Sequence, residues 1–325
     1  MQLFQKNSVS ISSRGFLDIE RTWRSVLLLC LLPLFSQSQD PAFVPSNAPP
    51  ANQQLLPAAL GLRTDTQGNS WNFQRNGALG RIGSSMMNTG LELYINNSQF
   101  TATNPLMTQD GREFVLPGRT SGTFGGLVVT RRVRIDDKLG LVRYLEIFEN
   151  PSSQAITANI ELRTHFSGNY QSYVTNSGVT NPTVLSRSDT GIVVTPGASN
   201  QRRAFIFNLA SANAKQKPTL TSQSRYVLSS HLQLQVPAGE TACLLHAIAQ
   251  IPVPQSLDRK SLAELFRPVG LSRQISSIPR DLRGKIVNFS LGQESAGLAL
   301  LSATSIDSLG VQRGRRDVLA VGEAT

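Results

Sequence analysis

From Leu127 to Phe166 the chain alternates between apolar and polar side chains with a period of two. Val129, Arg131, Val133 and Ile135 share one face of a first segment; Val128, Thr130, Arg132 and Arg134 share the other. Leu141–Glu149 follows, with Val142, Tyr144 and Phe148 on one side and Leu141, Leu145 and Ile147 on the other. Apolar groups on both sides predict a strand covered on both faces. Ile156, Ala158, Ile160, Leu162, Thr164 and Phe166 then alternate with Thr157, Asn159, Glu161, Arg163 and His165. A helix repeats every 3.6 residues and does not produce that pattern. Asp136–Gly140 and Asn150–Gln154 carry the turn residues between these three strands.

The same reasoning extends along the chain. Asn76-Gly77 lies between Trp71/Phe73 and Leu79/Ile82, and Asp110-Gly111 between Leu106-Met107 and Phe114-Val115-Leu116. Both dipeptides tolerate positive φ, so both predict hairpins. Further strands are expected at Gly90–Ile95, Gly191–Thr195, Ala204–Leu209, Tyr226–Val236 and Thr241–Gln250. After Pro252 the pattern becomes helical. Ser261 to Glu264 has the spacing of a capping box ahead of Leu265 and Phe266, with Pro268 as a stop. Pro279 opens a second short helix carrying Leu282, Ile286 and Phe289. The fold class expected is all-β: a large antiparallel two-layer β-sandwich over residues 64–251. A few short C-terminal helices, within residues 252–309, pack on it.

The ends read differently. Arg21 and Arg24 precede the apolar run Val26–Phe35, and Ser36 to Ser38 supplies small residues, as in an export signal over residues 1–38. That run is too short to span a bilayer as a helix. Pro41, Pro45, Pro49, Pro50 and Pro57 mark residues 39–63 as a spacer. Residues 310–325 are expected to be a linker or the start of a further domain downstream. The mature protein is expected outside the cytoplasm, periplasmic or extracellular, with no transmembrane span.

Charge adds little. The net charge is +10, and the leader accounts for two of those charges. The basic residues are scattered along strands, so no nucleic-acid partner is expected. Of two cysteines, Cys30 belongs to the leader and Cys243 sits in an apolar run, where a buried, inert thiol is expected.

Candidate chemistry is sparse. His165, His231 and His246 are the only histidines, and none has a metal-ligand spacing with a second His, Cys or carboxylate. No cofactor or metal is expected. Glu146 and Glu149 fall on opposite faces of one strand and cannot flank a single bond. His165, at the end of a long strand, is the single catalytic candidate. Beside it, Ser167–Pro182 is read as a polar loop in which Tyr170, Tyr173, Asn169 and Asn176, with Arg163 from the preceding strand, form a candidate ligand-binding set. Tyr supplies a rigid ring with a polar tip and Asn supplies adaptable hydrogen bonds. Trp71 and Tyr94 are read as core or hairpin aromatics, and Arg131, Arg132 and Arg134 as solvent-facing residues that discourage edge pairing.

The progression from Val142 to Phe166, a strand ending in Asn150 at a turn and then a long strand, resembles the galactose mutarotase-like supersandwich over roughly residues 64–250. That resemblance implies a sugar-active enzyme or a non-catalytic module of a glycoside hydrolase. The histidines and glutamate that mutarotases use for proton transfer have no match in His165, His231 or His246, so no catalytic residue carries over. The leading expectation is an exported, non-catalytic module that binds carbohydrate or another extracellular polymer, or scaffolds a larger secreted protein. The alternatives are a carbohydrate-active epimerase or lyase and a purely structural, self-assembling protein.

Overall fold

The computed structural model describes residues 54–82, 85–118, 124–198, 200–267, 275 and 277–289. The leader, most of the spacer and everything from residue 290 onward lie outside the described residues.

Among the described residues two antiparallel sheets face each other. The larger runs in the order β1 (Leu55–Pro57), β7 (Leu106–Thr108), β8 (Glu113–Pro117), β9 (Val128–Asp136), β10 (Leu141–Glu149), β17 (Thr241–Pro252), β14 (Arg203–Asn208), β13 (Gly191–Pro196), β12 (Tyr170–Thr175). The smaller runs β15 (Thr219–Gln223), β16 (Val227–Val236), β11 (Ile156–Phe166), β5 (Met87–Ile95), β4 (Leu79–Gly80), β3 (Ser70–Phe73), β2 (Leu62–Thr64), with β6 (Ser98–Gln99) paired to β5. The chain is an all-β sandwich with two short helices, α1 (Arg259–Phe266) and α2 (Arg280–Arg283), among these residues.

The period-two pattern explains this layering. On β11, Ala158, Ile160, Leu162 and Phe166 enter the core between the sheets, while the intervening polar residues turn outward. β10 is buried at every position. Its Val142, Tyr144 and Phe148 meet the inter-sheet core. Its Leu141, Leu145 and Ile147 join a second apolar layer with Leu262 and Phe266 of α1 and Leu282 of α2. Both hairpins form as expected. At the first, Gly77 adopts φ +75°, and a Cβ there would lie 2.5 Å from Leu116 Cδ1. Asn150 closes the turn after β10: its buried Nδ2 donates to the carbonyls of Gln154, Val236 and Pro237 at 2.7–3.0 Å.

Several expectations change. β1 and β2 fall inside residues 39–63, so the end of the expected spacer belongs to the sheets. The N-cap of α1 is Asp258, which accepts from Ser261 N–H, so the helix starts ahead of the anticipated capping box. α2 stops at Arg283, and Ile286 and Phe289 reach the apolar layer from non-helical backbone. Much of the loop expected at Ser167–Pro182 is strand β12.

The largest correction concerns the arginines of β9. This strand lies between β8 and β10 and has no free edge. Arg131 and Arg132 are buried. Arg132 makes a two-point contact with Glu113 at 3.0–3.1 Å, and Arg143 donates to the same carboxylate at 2.6 Å. Arg131 points into the space between the sheets. Its Nε donates to Glu146 Oε1 at 3.0 Å, Nη2 to the Leu91 carbonyl at 2.7 Å and Nη1 to the Asn76 carbonyl at 3.2 Å. Both carbonyls belong to places where regular pairing stops. Asn76 sits in the β3–β4 turn, and Leu91 lies beside irregular β5–β11 pairing with φ +57°. Such a conformation costs a non-glycine residue about 1–2 kcal/mol, and here it accompanies a carbonyl that meets a guanidinium. Arg131 thus ties the large sheet to the small one.

Removing one member of a buried ion pair leaves an uncompensated charge. Arg131→Ala is expected to lower the unfolding free energy by about 3–5 kcal/mol, and Arg131→Met with Glu146→Leu to recover most of the loss. Urea denaturation followed by tryptophan fluorescence measures both, since Trp71 is buried in the core; an Arg131→Ala protein of unchanged stability would contradict this role for the pair.

Candidate functional site

The outward face of the small sheet gathers a strip of interacting titratable side chains. It follows from register. On β11, Glu161, Arg163 and His165 point the same way because they are two residues apart. Opposite them on β5 stand Tyr94, Glu92 and Thr89. On the other side, Glu161 faces His231 and Arg163 faces Ser229 of β16, and these face Thr219 and Thr221 of β15.

These groups hold one another. Arg163 grips Glu161 through Nε and Nη2 at 2.8 and 2.9 Å and lies over the Tyr94 ring, 4.2 Å from its centroid. Ser229 Oγ donates to Glu161 at 2.7 Å. Burial pushes the Glu161 carboxyl up, but the hydrogen bonds from Arg163 and Ser229 outweigh it and hold the group below the usual carboxylate range. Burial, then the nearby Glu92 charge, raises the Tyr94 phenol. Glu92 accepts from Gln99 at 3.0 Å and from Thr89 at 3.3 Å, and His165 Nε2 lies 3.3 Å from the same carboxylate. His231 Nε2 is 2.8 Å from Thr221 Oγ1.

An open cleft of about 650 Å³ borders this strip. Its lining includes Glu161, His231, Lys215, Lys217, Asn159 and Gln233. A second cleft of about 620 Å³ lies by the Gln74–Asn76 turn and Thr101–Asn104, where Arg75 is the one charged lining residue. Among the described residues no group of three or more His, Cys, Asp or Glu side chains is placed to hold a metal. The face can offer fixed hydrogen-bond donors and acceptors, and one imidazole oriented by a carboxylate.

The structure separates the residues expected to act together. Tyr170 and Tyr173 are 2% and 4% exposed. They pack edge-on against each other, and Tyr170 against Phe166. Tyr173 Oη donates to the Pro182 carbonyl, and Tyr170 Oη bonds Ser222. Neither ring faces solvent, because β12 turns both toward the core. Asn176 Oδ1 is occupied by backbone N–H groups of Thr190 and Gly191. Asn169 is exposed, and its carbonyl accepts from Gly197 N–H. Arg163 sits on the opposite sheet, in the strip just described. Tyr94, Glu92 and His231 were not among the expected ligand-binding set; Tyr94 is a hairpin aromatic, paired with Gln99 across the β5–β6 turn and half-buried on the outward face. The Glu161–Arg163–His165 spacing was visible in the sequence, but their partners depend on strand register.

His246 is buried. It stacks on Tyr144 with centroids 5.1 Å apart and lies 3.4 Å from Glu146. Burial, then the Arg131 charge, drives its pKa well below the ordinary imidazole value. Burial raises Glu146 to about 7 against the pull of Arg131. The adjoining cavity, about 20 Å³ between His246, Ser230 and Asn288, has room for roughly one water molecule and none for a sugar. Cys243 is buried, and its thiol is pushed up to about 12 by burial and by nearby Glu149. Glu149 itself is buried with both carboxylate oxygens unpartnered, and burial raises it to about 7.

No protein-family model matches the sequence, and no curated protein matches it. Solved structures do show likeness. The Slr1438 protein of Synechocystis sp. PCC 6803 is 9% identical with a TM-score of 0.37, covering 60% of this chain and 96% of its own. A provisionally assigned aldose 1-epimerase of Escherichia coli K12 is 6% identical with a TM-score of 0.33, covering 60% and 82%. The α-galactosidase of Lactobacillus brevis is 14% identical with a TM-score of 0.33, covering 69% of this chain and 35% of its own. No residue role passes to this chain from likenesses of this size.

Glu149 makes a pH test available. Its folded pKa of about 7 exceeds the ordinary 4.5, so its contribution favours folding fully below about 4.5 and is lost as pH rises through 7. Thermal melts are expected to show a lower midpoint at pH 7.5 than at pH 5, and Glu149→Gln to reduce that difference. An unchanged slope in the variant would show that other groups cause it.

Proposed function

We propose that the chain is an exported, non-catalytic carbohydrate-binding module whose binding surface is the outward face of β5, β11, β16 and β15. One observation carries the reading: Glu92, Tyr94, Glu161, Arg163, His165 and His231 form a single strip beside an open cleft, most of them held by a neighbour. Polyhydroxylated ligands need several hydrogen-bonding groups at fixed spacing, and groups already fixed lose little freedom on binding. Export is supported by the sequence of residues 21–38 alone.

Calorimetry against a panel of oligosaccharides tests the surface. Arg163→Ala and His231→Ala are each expected to weaken binding at least about tenfold (about 1.4 kcal/mol), with little change in melting temperature. Tyr173→Ala is expected to destabilise the fold by about 3–5 kcal/mol, as for loss of a buried aromatic, without touching the binding surface. Full binding by both surface variants would place the site elsewhere. For export, the amino terminus of protein recovered outside the cytoplasm is expected to begin close to Gln39; protein retained in the cytoplasm at full length would refute it.

A second reading has its own support. His165 lies 3.3 Å from Glu92, the imidazole–carboxylate pairing of a general base. A carbohydrate-active enzyme would turn over a member of the same panel, with the rate lost in His165→Ala and lowered in Glu92→Gln. A rate unaffected by either variant would remove the pair from any mechanism.

A further inference from the structure

We infer that the cleft beside β11, β15 and β16 takes an acidic glycan, one bearing carboxylate or sulfate groups. This rests on the carbohydrate reading and narrows it. The cleft is lined by Lys215, Lys217 and His231, with one acid, Glu161. That acid is neutralised in place: both of its oxygens are taken by Arg163, and one also accepts from Ser229. Lys217 lies in the field of the buried Asp189 carboxylate, which does not line the cleft. Lys217 Nζ is anchored on the backbone carbonyls of Arg187 and Asp189. That uses two of its three donors and fixes the ammonium where it stands. Lys215 is exposed on the same rim. The local balance is therefore two positive charges among the amides of Asn97, Asn159, Gln216 and Gln233. Such a surface suits a ligand that combines many hydroxyls with a few negative charges.

A nucleic acid is also anionic but fits less well. Binding single strands uses open aromatic faces on which bases stack. Among the described residues, the phenyl or indole ring that β5, β11, β15 and β16 turn outward is Tyr94, and Arg163 already covers one side of it.

The test uses the full chain on an array of uronate-bearing, sulfated and neutral oligosaccharides, with a single-stranded oligonucleotide as the competing polyanion. Acidic members are expected to bind at least about tenfold more tightly than neutral ones, with affinity falling as salt rises. The uronate and sulfate arms identify which anion is preferred. Lys215→Glu, an exposed change that leaves the core untouched, is expected to cut acidic binding about tenfold and to spare neutral binding. Equal binding of acidic and neutral members overturns this inference and leaves the carbohydrate reading standing. So does Lys215→Glu without effect. Binding of the oligonucleotide in preference to every sugar overturns it in favour of a nucleic acid. Binding of no member overturns both readings.

Discussion

Arg131 and Glu146 hold the two sheets in their relation to each other. The pair is buried in a space otherwise filled mainly by apolar side chains. A guanidinium there is tolerable only with a carboxylate partner and further acceptors for its remaining N–H groups. Those acceptors come from the other sheet: the Leu91 carbonyl, released beside the irregular β5–β11 pairing, and the Asn76 carbonyl at the first hairpin. The irregular backbone of the small sheet and the charge of the large one fit each other. The Tyr144 hydroxyl, donating to the Gly77 carbonyl at 3.1 Å, extends the same link.

Closing the inter-sheet space in this way decides where a ligand can meet the protein. The large sheet spends its inner face on that core and much of its outer face on the layer beneath α1 and α2. The small sheet has no second layer over β11 and β16 among the described residues, and its outward side chains are polar. The outward surface of β5, β11, β16 and β15 is the one where alternate residues of four neighbouring strands come into register. Its charges are mutually paired on the Arg163 side, while Lys217 at the other rim is held by backbone carbonyls.

How much of this was legible depends on the range of the interaction. The alternation on β11 announced which residues face out, because side-chain direction in a strand is a local property. The double burial of β10 was legible for the same reason. The candidate site was only partly so: Arg163 and His165 were marked, but Tyr94 beneath the Arg163 guanidinium and Glu92 beside His165 lie some seventy residues away along the chain, on β5. Tyr170 and Tyr173 misled because Tyr, Asn, Ser and Gly have the composition of a loop. The edge strand they form turns both rings inward, a direction that composition does not encode. The arginines of β9 misled in the opposite sense. Charge implies solvent unless a partner is supplied, and Glu113 and Glu146 supply it from neighbouring strands.

By itself, then, the chain determined its class, its strands and turns and the side on which each strand is apolar, since period and turn chemistry act between near neighbours. Only the tertiary structure decided which charges are buried, which tyrosines are core and which polar residues share a face. Those outcomes depend on the register and order of strands far apart in sequence. A one-residue shift in that register would send every one of these side chains to the opposite side of its sheet.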